Sequence, residues 1–587
     1  MAYGKNNVRN VGKAGTDPQL WAMAGLLGLL VATVATIRLG VAASNAVDGV
    51  PGQVPGNPIA VAVGVAKGDI AWTPVATAAA VGLWIVLGLA IFAVLWVRTS
   101  TPRARVDEAA KHLASRRDID SMSRAAAEKL ARKWLPEDMA ASHPGLRMGR
   151  IPRTKKGLWS SWEDLYLIIF GPRMGKTTTQ VIPAIVDAPG PVLTTSNKRD
   201  IIDDTIGVTR ARGQVWAFDP QRIAAGFDQR PWFYDPLSLI RRSPDMMDSA
   251  AMELADIFRC AARGENEGGD AFFSDGGRDL LSRLLLAAAL DRRSIGDVFI
   301  WANDDFDRTP VGILARYPEW GQQAAALKGT YNITEKTRSG LFSQAAQMAA
   351  PLGRREALKW VTPTPGAAEF VPEDFVRSAH DTVYVLSKEG ADNAAALTTA
   401  LTAAVMKAAE EYGEANGGRL PVPLVAPLDE AANVVRWPQL PRLYSHYGSR
   451  SIILMTILQS YAQGVSVWGE EGMEALWSAS AVLMYGGGVR DDRMLHKLEA
   501  LIGDYEESTR SVSRSADGRS TSDSVREKKI LTVAELASVE AGRALVFASK
   551  RRPIVAQLEP WWERSWPREI KAGLGAQPAP VVEEERR

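Results

Sequence analysis

The chain has 587 residues, of which 46% are hydrophobic and 23% charged, a composition typical of a globular protein with room for several domains. Its formal net charge of +2 excludes an overall basic excess, so binding of nucleic acid would need a local patch or a pore. The single cysteine, Cys260, excludes an intrachain disulfide, and the scarcity of histidine disfavours a Cys/His zinc site.

Two long uncharged runs lie near the N-terminus, at residues 20–37 and 71–97. A helix that crosses about 30 Å of hydrocarbon needs roughly 20 residues, so both runs are long enough to span a membrane. We predict transmembrane helices over residues 18–43 and 71–97. A cleaved signal peptide is the alternative interpretation of the first run, but that run begins late, is long, and is followed by a second one.

Basic residues around these runs predict their orientation. The N-terminal tail, residues 1–17, carries three lysine or arginine residues, the segment 44–70 carries one, and six follow the second run by residue 117. Because lysine and arginine are enriched on the cytoplasmic side, we predict that both termini are cytoplasmic and that residues 44–70 form an extracytoplasmic loop.

The remainder of the chain alternates between strand-like and helix-like patterns. Residues 98–145 are rich in Ala, Arg, Lys and Glu and are predicted to be a cytoplasmic helical linker. Further on, short apolar runs alternate with helical spacers, which predicts an α/β fold with a parallel sheet covered on both faces. The strand-like runs are residues 165–170, 191–195, 215–218, 382–386, 424–428, 451–458 and 481–485.

Departures from this alternation predict the domain boundaries. Residues 245–365 carry helical patterns and almost no strand signal, which predicts an all-α insertion between two core halves, 146–244 and 366–566. Residues 504–529 are polar and low in complexity, and are predicted to be a solvated loop or, alternatively, a mobile loop that faces a substrate. The last residues, 567–587, are predicted to be a disordered tail.

A phosphate-binding loop is indicated directly after the first strand-like run. Gly175 allows close approach of the backbone, Lys176 is placed to reach the β- and γ-phosphates, and the Thr177 hydroxyl to bind Mg²⁺. The predicted nucleotide-binding residues are Gly171, Pro172, Arg173, Met174, Gly175, Lys176, Thr177 and Thr178. The full motif has glycine where Phe170 stands, so we expect a shortened or reshaped loop entrance.

An acidic pair, Asp429 and Glu430, follows the strand-like run 424–428. Beside a phosphate-binding loop, Asp429 is expected to hold Mg²⁺ through water and Glu430 to polarise an attacking water as general base. The alternative is an exposed acidic pair that opens a helix. Pro427 disagrees with a central position for this strand, because proline lacks the N–H that a central strand donates.

A glutamine, Gln459, ends the strand-like run 451–458. On a strand next to the one that carries Asp429 and Glu430, it could contact both the γ-phosphate and the lytic water. We predict that it couples hydrolysis to movement of the helix that follows. A glutamine at a strand end is by itself more often structural, so this role depends on the presence of the phosphate-binding loop and the acidic pair.

The order of these elements resembles the type IV coupling proteins, the TraG/TraD-like ATPases of conjugation and type IV secretion. The resemblance includes the two N-terminal helices and most of the chain after residue 150. Its motifs are the phosphate-binding loop, VLTTSNKRD (192–200), FFSD (272–275), EKTRSG (335–340), LDEAANV (428–434), GSR (448–450) leading to QS (459–460), and YGGG (485–488). The pair formed by DEAAN and QS is the most specific.

The resemblance implies a RecA-like P-loop NTPase core that uses ATP and Mg²⁺ and assembles into a homo-hexameric ring at the bacterial inner membrane. Family members recruit a relaxase–DNA complex and drive single-stranded DNA towards the channel of a type IV secretion system. The helical insertion is associated with substrate recognition. A ring ATPase of this kind takes an arginine from the neighbouring subunit, for which Arg450 is the first candidate and Arg490 the second.

Two other functions remain open from the sequence. One is a receptor that docks protein substrates onto a secretion channel and uses nucleotide only as a switch. The other is an FtsK-like translocase of double-stranded DNA, which shares the ring and the membrane anchor. The sequence names neither the relaxase nor the secreted substrate.

Overall fold

In the computed structural model of the chain, residues 18–49, 55–100, 104–227, 229–242, 244–262, 271–388, 390, 394–515 and 518–575 are described. The chain divides into two compact units, residues 1–103 and 104–587. The predicted N-terminal tail, 1–17, lies outside the described residues.

The N-terminal unit contains three helices, α1 (Pro18–Asp48), α2 (Pro58–Lys67) and α3 (Pro74–Ser100), within its described part. By length and composition, one helix among the described residues, α1, is apolar enough over Leu30–Val47 to cross a membrane. The apolar part of α3, Pro74–Ala90, is shorter, so the second span stays a prediction. The predicted loop 44–70 contains α2, which begins at an Asn57 cap and ends at Gly68 with φ +86°.

Four short helices begin the second unit where a helical linker was predicted, α4 (Arg105–Ala109), α5 (Arg116–Asp120), α6 (Arg124–Ala131) and α7 (Glu137–Ser142). Serines at the N-termini of α5 and α6 accept hydrogen bonds from the first helical turn, which explains where these helices start.

Among the described residues the second unit is built on an eleven-stranded sheet with the order β2-β1-β15-β14-β11-β3-β10-β9-β4-β8-β5. Its strands are β1 (Arg147–Arg150), β2 (Gly157–Trp159), β3 (Tyr166–Ile169), β4 (Val192–Ser196), β5 (Val215–Phe218), β8 (Thr382–Leu386), β9 (Leu424–Leu428), β10 (Ile452–Leu458), β11 (Val482–Tyr485), β14 (Arg543–Ala548) and β15 (Ile554–Gln557). Two shorter strands, β6 (Trp232–Phe233) and β7 (Ala368–Glu369), pair separately.

Every strand-like run of the sequence is one of seven neighbouring parallel strands, from β11 to β5 in the sheet order. Both faces of these strands are covered, because Leu167 and Ile169 of β3 belong to one buried apolar cluster while Tyr166 and Ile168 belong to another. The four strands β14, β15, β1 and β2 extend the sheet in antiparallel fashion and were not predicted from the sequence.

Pro427 lies in β9, inside the sheet, despite its missing N–H. The β9–β4 ladder pairs Val425 with Val192 and Leu428 with Thr195, and Pro427 falls between these two pairs. The hydroxyl of Thr194 donates to the Pro427 carbonyl at 3.1 Å. A side chain therefore supplies a hydrogen bond where the ladder is interrupted, and the sheet tolerates the proline.

Helices cover the sheet, and a group of them forms the segment predicted to be an insertion. The covering helices are α8 (Ile182–Asp187), α9 (Asp200–Arg212), α10 (Ser238–Arg241), α18 (Pro372–Arg377), α19 (Ala395–Ala415), α20 (Ala431–Val434), α21 (Leu440–Leu443), α22 (Tyr461–Ala479), α23 (Asp492–Ile502), α24 (Val533–Ala537) and α25 (Arg568–Gly573). Within 245–365 the described residues form α11 (Met247–Ala262), α12 (Ala271–Leu290), α13 (Ile295–Ala302), α14 (Thr309–Ala315), α15 (Gly321–Asn332), α16 (Glu335–Ala349), α17 (Arg355–Leu358) and short 3₁₀ turns.

The polar segment 504–529 is a two-stranded antiparallel ribbon rather than the predicted loop. Its strands are β12 (Asp504–Ser515) and β13 (Gly518–Lys529), paired from Asp504↔Lys529 to Ser515↔Gly518. Strand pairing satisfies the backbone of each strand without any apolar face, so hydropathy gave no sign of it. We call residues 504–529 the ribbon.

The predicted disordered tail is ordered in its first part, which corrects that prediction. Residues 568–573 form α25, and Leu574 is buried in a small apolar cluster with Val186 and Val208. Trp566 donates its indole N–H to Asp187 at 2.8 Å. These contacts fix the segment up to residue 575, and residues 576–587 lie outside the described part of the chain.

Candidate functional site

The predicted phosphate-binding loop follows β3 at the carboxyl edge of the parallel strands. Phe170 continues the ladder, since its N–H donates to the Leu458 carbonyl at 3.1 Å, and its ring is fully buried against Gly486. The Gly171 N–H then donates to the Gly487 carbonyl at 2.9 Å. A Cβ on Gly171 would lie 2.2 Å from the Gly488 carbonyl oxygen. The loop entrance therefore needs glycine at position 171, and Phe170 acts as a buried strand residue.

Two left-handed residues shape the loop before the helix begins. Arg173 has φ +61° and Gly175 has φ +84°, a conformation that costs glycine little. The first turn after Lys176 is a π-helix over Thr177–Val181, which leads into α8. Such wide turns are rare and concentrate at functional sites. The free N–H groups of a helix start face the loop, which is the usual arrangement for binding phosphate.

Asp429, at the end of β9, lies against the loop in a buried position. Its carboxylate accepts a hydrogen bond from the Thr177 hydroxyl at 2.8 Å and lies 3.6 Å from the Lys176 Nζ. Its backbone carbonyl accepts from the Thr195 hydroxyl at 2.7 Å. Burial raises the pKa of Asp429 to about 6, and the Glu430 carboxylate adds to the increase, while Lys176 and Thr177 oppose it.

Glu430 completes a charged cluster with the loop lysine. One carboxylate oxygen, Oε1, accepts from the Lys176 ammonium and from the Gln459 amide, the latter at 2.7 Å. The other oxygen, Oε2, is buried without a hydrogen-bond partner among the described residues. Glu430 has φ +53°, unusual for a residue with a side chain, and such strain is typical of functional positions. One oxygen is thus left to accept a hydrogen bond from a water molecule.

Gln459 stands between strand and helix, as the sequence predicted. It follows β10, the neighbour of both β3 and β9, and its backbone N–H donates to the Gln463 side chain on α22 at 2.9 Å. Its side chain meanwhile contacts Glu430. A change at Glu430 can therefore reach the start of α22 through one residue.

The two candidate arginines lie at opposite ends of the parallel strands, Arg450 at the amino ends and Arg490 at the carboxyl ends. Arg450 precedes β10, so the seven residues of that strand, about 23 Å in extended form, separate it from the Gln459 end. It pairs with Glu410 and with Glu414 of α19. Arg490 follows β11 at the carboxyl edge and is exposed. Neither is part of the Lys176–Glu430 cluster within its own chain.

Several residues that hold the site together had no role predicted from the sequence. Thr195 fixes the Asp429 backbone, and Gly487 closes the loop entrance. Arg564, from the C-terminal segment, is buried and donates to the Thr179 carbonyl in the π-helical turn at 3.2 Å. It also donates to Asp187 at 3.2 Å. The glycine run was the one available signal, since long-range contacts such as those of Arg564 leave no local pattern.

The residues present suit a nucleotide with a magnesium ion. One hydroxyl and one carboxylate, from Thr177 and Asp429, meet at 2.8 Å beside the lysine of the loop. Mg²⁺ in nucleotide sites takes few protein oxygens and keeps several waters. The partnerless oxygen of Glu430 lies in the same cluster. This donor set fits phosphate binding and water activation.

Two families match the chain in its second unit. Residues 119–307 match the family described as "Type IV secretory system Conjugative DNA transfer". Residues 423–541 match the family described as "TraM recognition site of TraD and TraG". These segments contain the phosphate-binding loop, the acidic pair and Gln459. The chain belongs to the TraG/TraD-like type IV coupling proteins.

Solved structures share the fold of this coupling protein. The bacterial conjugative coupling protein TrwBdeltaN70 in an unbound monoclinic form has 17% identity and a TM-score of 0.53, covering 77% of this chain and 93% of that chain. Its trigonal form with sulphate has 16% identity and a TM-score of 0.52, covering 74% and 92%. TrwB with ADP and Mg²⁺ has 16% identity and a TM-score of 0.51, covering 75% and 92%. No curated protein sequence matches this coupling protein.

Proposed function

We propose that this coupling protein is a membrane-anchored ATPase that drives DNA towards a type IV secretion channel during conjugation. One observation carries the proposal, namely that five residues from three separate parts of the chain form a single cluster around two buried carboxylates. They are Lys176, Thr177, Asp429, Glu430 and Gln459. A surface acidic pair or a structural glutamine would not need these mutual contacts.

Each residue has a distinct proposed role in hydrolysis. Lys176 binds the β- and γ-phosphates, while Thr177 and Asp429 hold Mg²⁺, which neutralises phosphate charge when bound. Glu430 activates the attacking water through its partnerless oxygen. Gln459 senses the state of Glu430 and passes it to α22. Gly171, Pro172, Arg173, Met174, Gly175 and Thr178 complete the phosphate-binding loop.

Binding of nucleotide would break an existing contact in this proposal. In the structure Lys176 is held by Glu430, so the lysine must turn away from that carboxylate to reach a phosphate. Glu430 then gains the freedom to orient water. The structure of TrwB with ADP and Mg²⁺, a protein of similar fold, supports the choice of nucleotide and metal.

The assembly that we propose is a homo-hexameric ring at the inner membrane, with the second unit in the cytoplasm. Support comes from family membership and from the apolar helix α1, which suits an anchor. In this ring Arg450, or else Arg490, reaches the nucleotide of a neighbouring copy. We further propose that the transported DNA is single-stranded and arrives bound to a relaxase.

A second candidate function is recognition of a protein partner, with nucleotide as a switch. It is favoured by the match of residues 423–541 to a family named for recognition of TraM. That segment contains Asp429 and Glu430 as well as the ribbon, so nucleotide and partner sites would share one stretch of chain.

The decisive experiment measures ATP hydrolysis by the full chain in lipid nanodiscs, with and without single- or double-stranded DNA. The motor predicts hydrolysis that single-stranded DNA stimulates and that Lys176→Ala abolishes. Stimulation by duplex in preference to single strands would favour an FtsK-like translocase. Hydrolysis indifferent to any DNA, together with partner-protein binding that Glu430→Gln leaves intact, would favour the receptor.

A further inference from the structure

The turn that carries Arg450 has an unusual backbone. Residues Gly448–Arg450 form a short 3₁₀ turn, and the next residue, Ser451, has φ +60° before β10 begins. A left-handed conformation is costly for a residue with a side chain and persists only where the surroundings fix it. Ser451 is also buried. The contacts that hold this turn therefore decide how Arg450 leaves the amino end of β10.

The segment before β9 holds the backbone on both sides of the Arg450–Ser451 peptide bond. The Leu420 N–H donates to the Arg450 carbonyl at 3.0 Å. The Leu424 N–H donates to the Ser451 carbonyl at 3.1 Å. Two successive carbonyl groups are thus fixed by one neighbouring segment, which restricts rotation of the backbone at the left-handed residue.

One side chain, Arg419, connects this turn to its surroundings. Its guanidinium donates to the Ser451 hydroxyl at 2.8 Å and to the Glu163 carboxylate. The Trp134 ring covers the guanidinium, with 4.1 Å between the guanidinium carbon and the ring centroid. Only 15% of the Arg419 side chain is exposed. A planar guanidinium donates from its edge while its face stacks on a ring, which an ammonium group cannot imitate.

The partners of Arg419 come from distant parts of the chain. Trp134 follows α6, in the segment that was predicted to be a helical linker. Glu163 precedes β3, the strand that ends at the phosphate-binding loop, and its carbonyl oxygen would lie 2.3 Å from a Cβ on Gly448. The turn is therefore enclosed by three other segments, and Arg419 contacts a side chain from each of the other two as well as Ser451.

The side chain of Arg450 is held differently from its backbone. It pairs with Glu410 and Glu414 of α19, and more than half of the Glu414 side chain is exposed. Exposed ion pairs contribute little stability, so the guanidinium can leave them for a phosphate. A fixed backbone with a side chain that can be released suits a group that acts on another copy, because misplacing a reacting group by about 1 Å can cost about 10²-fold in rate.

We propose that Arg419 is a positioning residue for Arg450, which it serves by fixing the left-handed turn from which Arg450 reaches the nucleotide of a neighbouring copy. The inference rests on the proposed role of Arg450 in a ring and names the residue that directs it. Loss of Arg419 leaves the Ser451 hydroxyl without its donor and allows the turn to relax. The nucleotide site of the same chain keeps its residues, since Lys176 and Asp429 lie at the carboxyl ends of the parallel strands.

The test measures ATP hydrolysis by the full chain in lipid nanodiscs for Arg419→Gln and for a matched control, Arg150→Gln. Arg150 also belongs to a partly buried ion pair, with 27% of its side chain exposed, but it lies on β1 near the edge of the sheet. Arg419→Gln should lower kcat about tenfold and leave KM for ATP within about twofold, because only the group from the neighbour is misplaced. The control should keep kcat within about twofold of the parent.

Mixing subunits separates positioning from a structural role. Assemblies of Arg419→Gln and Lys176→Ala copies should hydrolyse ATP faster than the average of the two proteins measured separately. In such assemblies one copy supplies the loop lysine and its neighbour supplies a correctly held Arg450. A defect of Arg419→Gln in its own nucleotide site would leave the mixture at that average, which would contradict the inference.

A double variant gives an independent measure. Arg419→Gln added to Arg450→Gln should change kcat by less than about twofold, because an absent arginine cannot be positioned. Ser451→Ala removes only the acceptor of the 2.8 Å hydrogen bond and serves if Arg419→Gln does not fold. It should lower kcat less than Arg419→Gln does and show the same recovery in mixtures with Lys176→Ala.

The outcomes distinguish this inference from the motor itself. If Arg450→Gln lowers kcat while Arg419→Gln matches the control, or if the two losses multiply in the double variant, Arg419 does not position Arg450 although the motor stands. If Arg450→Gln leaves kcat unchanged in a parent that hydrolyses ATP, the inference falls without the motor. A parent that does not hydrolyse ATP overturns the motor and the inference with it.

Discussion

The two ends of β10 differ in how their polar side chains are used. At the carboxyl end, Gln459 contacts the buried Glu430, which also binds Lys176 from 254 residues away in the chain. At the amino end, Arg450 is partly exposed and pairs with glutamates on one neighbouring helix. The carboxyl end is thus a site completed within one chain. An arginine at the amino end can act on a phosphate only if that phosphate belongs to another copy.

The largest expected effect is on kcat, and mixing variant subunits tests whether the arginine acts on the nucleotide of another copy. Arg450→Gln alone should lower kcat by about 10³-fold in the assembled protein, since an arginine supplied by a neighbour stabilises charge in the transition state. Mixing it with Lys176→Ala should restore part of the hydrolysis. In mixed rings one copy then supplies the loop lysine and its neighbour supplies the arginine, as steady-state ATPase assays would show.

Arg490→Gln serves as the matched variant in the same mixing experiment. It lies at the carboxyl edge, where it is exposed. Rescue of Arg490→Gln but not of Arg450→Gln by Lys176→Ala would transfer the role to Arg490. If neither variant changes kcat, no arginine acts across subunits from these positions and the comparison of the two strand ends loses its basis.

A smaller effect is expected from Gln459→Ala at the carboxyl end. It removes the amide that donates to Glu430, so kcat should fall by about 10²-fold, as for other lost polar groups that orient catalytic ones. Nucleotide affinity should stay within about threefold, because Lys176 and Asp429 are unchanged. Single-turnover hydrolysis with fluorescent-nucleotide titration measures both, and a loss of affinity equal to the loss of kcat would contradict a role after binding.

The pH dependence of metal binding should reveal the titration of the buried Asp429 carboxyl group. The pKa of Asp429 is raised to about 6, so below that value the proton competes with Mg²⁺. Affinity for Mg²⁺ in the presence of nucleotide should drop about tenfold from pH 7 to pH 5, as one proton taken up implies. The sign for folding is opposite, because the apo protein binds this proton more tightly when folded and gains stability as pH falls from 6 to 4.

Asp429→Asn is the control for that titration. It should bind Mg²⁺ weakly at every pH and show a nearly flat profile between pH 5 and 7. A profile as steep as that of the parent would assign the titration to another group.

The smallest expected effects are on the free energy of unfolding, compared for one variant at each end of the parallel strands. Thr195→Val leaves the buried Asp429 carbonyl without its donor and should lower the free energy of unfolding by about 1–3 kcal/mol. Glu410→Gln at the amino end weakens a partly exposed ion pair and should cost about 0–1 kcal/mol. Urea denaturation of the full chain in nanodiscs measures both, and equal costs would show that burial does not separate the two ends.

The central strands and the members of the candidate nucleotide site could be predicted from the sequence because both leave local signals. Buried parallel strands are continuous apolar runs. Asp429 and Gln459 each follow one directly, and the loop that contains Lys176 begins directly after another. The apolar run of β14 (Arg543–Ala548) was not used in the prediction, and β1, β2 and β15 have at most four residues each. The pairing of β1 with β15 joins the beginning and the end of the second unit, which no local window contains. The contacts of Arg564 could not be predicted for the same reason.

The ribbon and the C-terminal helix were missed for other reasons. The ribbon lacks an apolar face, although its Asp517-Gly518 dipeptide is a turn signal typical of hairpins. The helix α25 is short, and Leu574, which packs the end of this segment, is a single apolar residue in a polar stretch. Arg450 and Arg490 could be named from the pattern around them, whereas their distance from the site depends on which end of a strand each one adjoins.

The pairing of β1 with β15 has a consequence for cotranslational folding. Arg147 on β1 and Glu559 just after β15 form an ion pair across 412 residues of chain. Since the ribosome synthesises the chain from its N-terminus, β1 emerges long before its partner β15. Gln459 and Gly487 also emerge late, long after the phosphate-binding loop. The nascent chain therefore holds only part of the candidate nucleotide site until Gln459 and Gly487 have emerged.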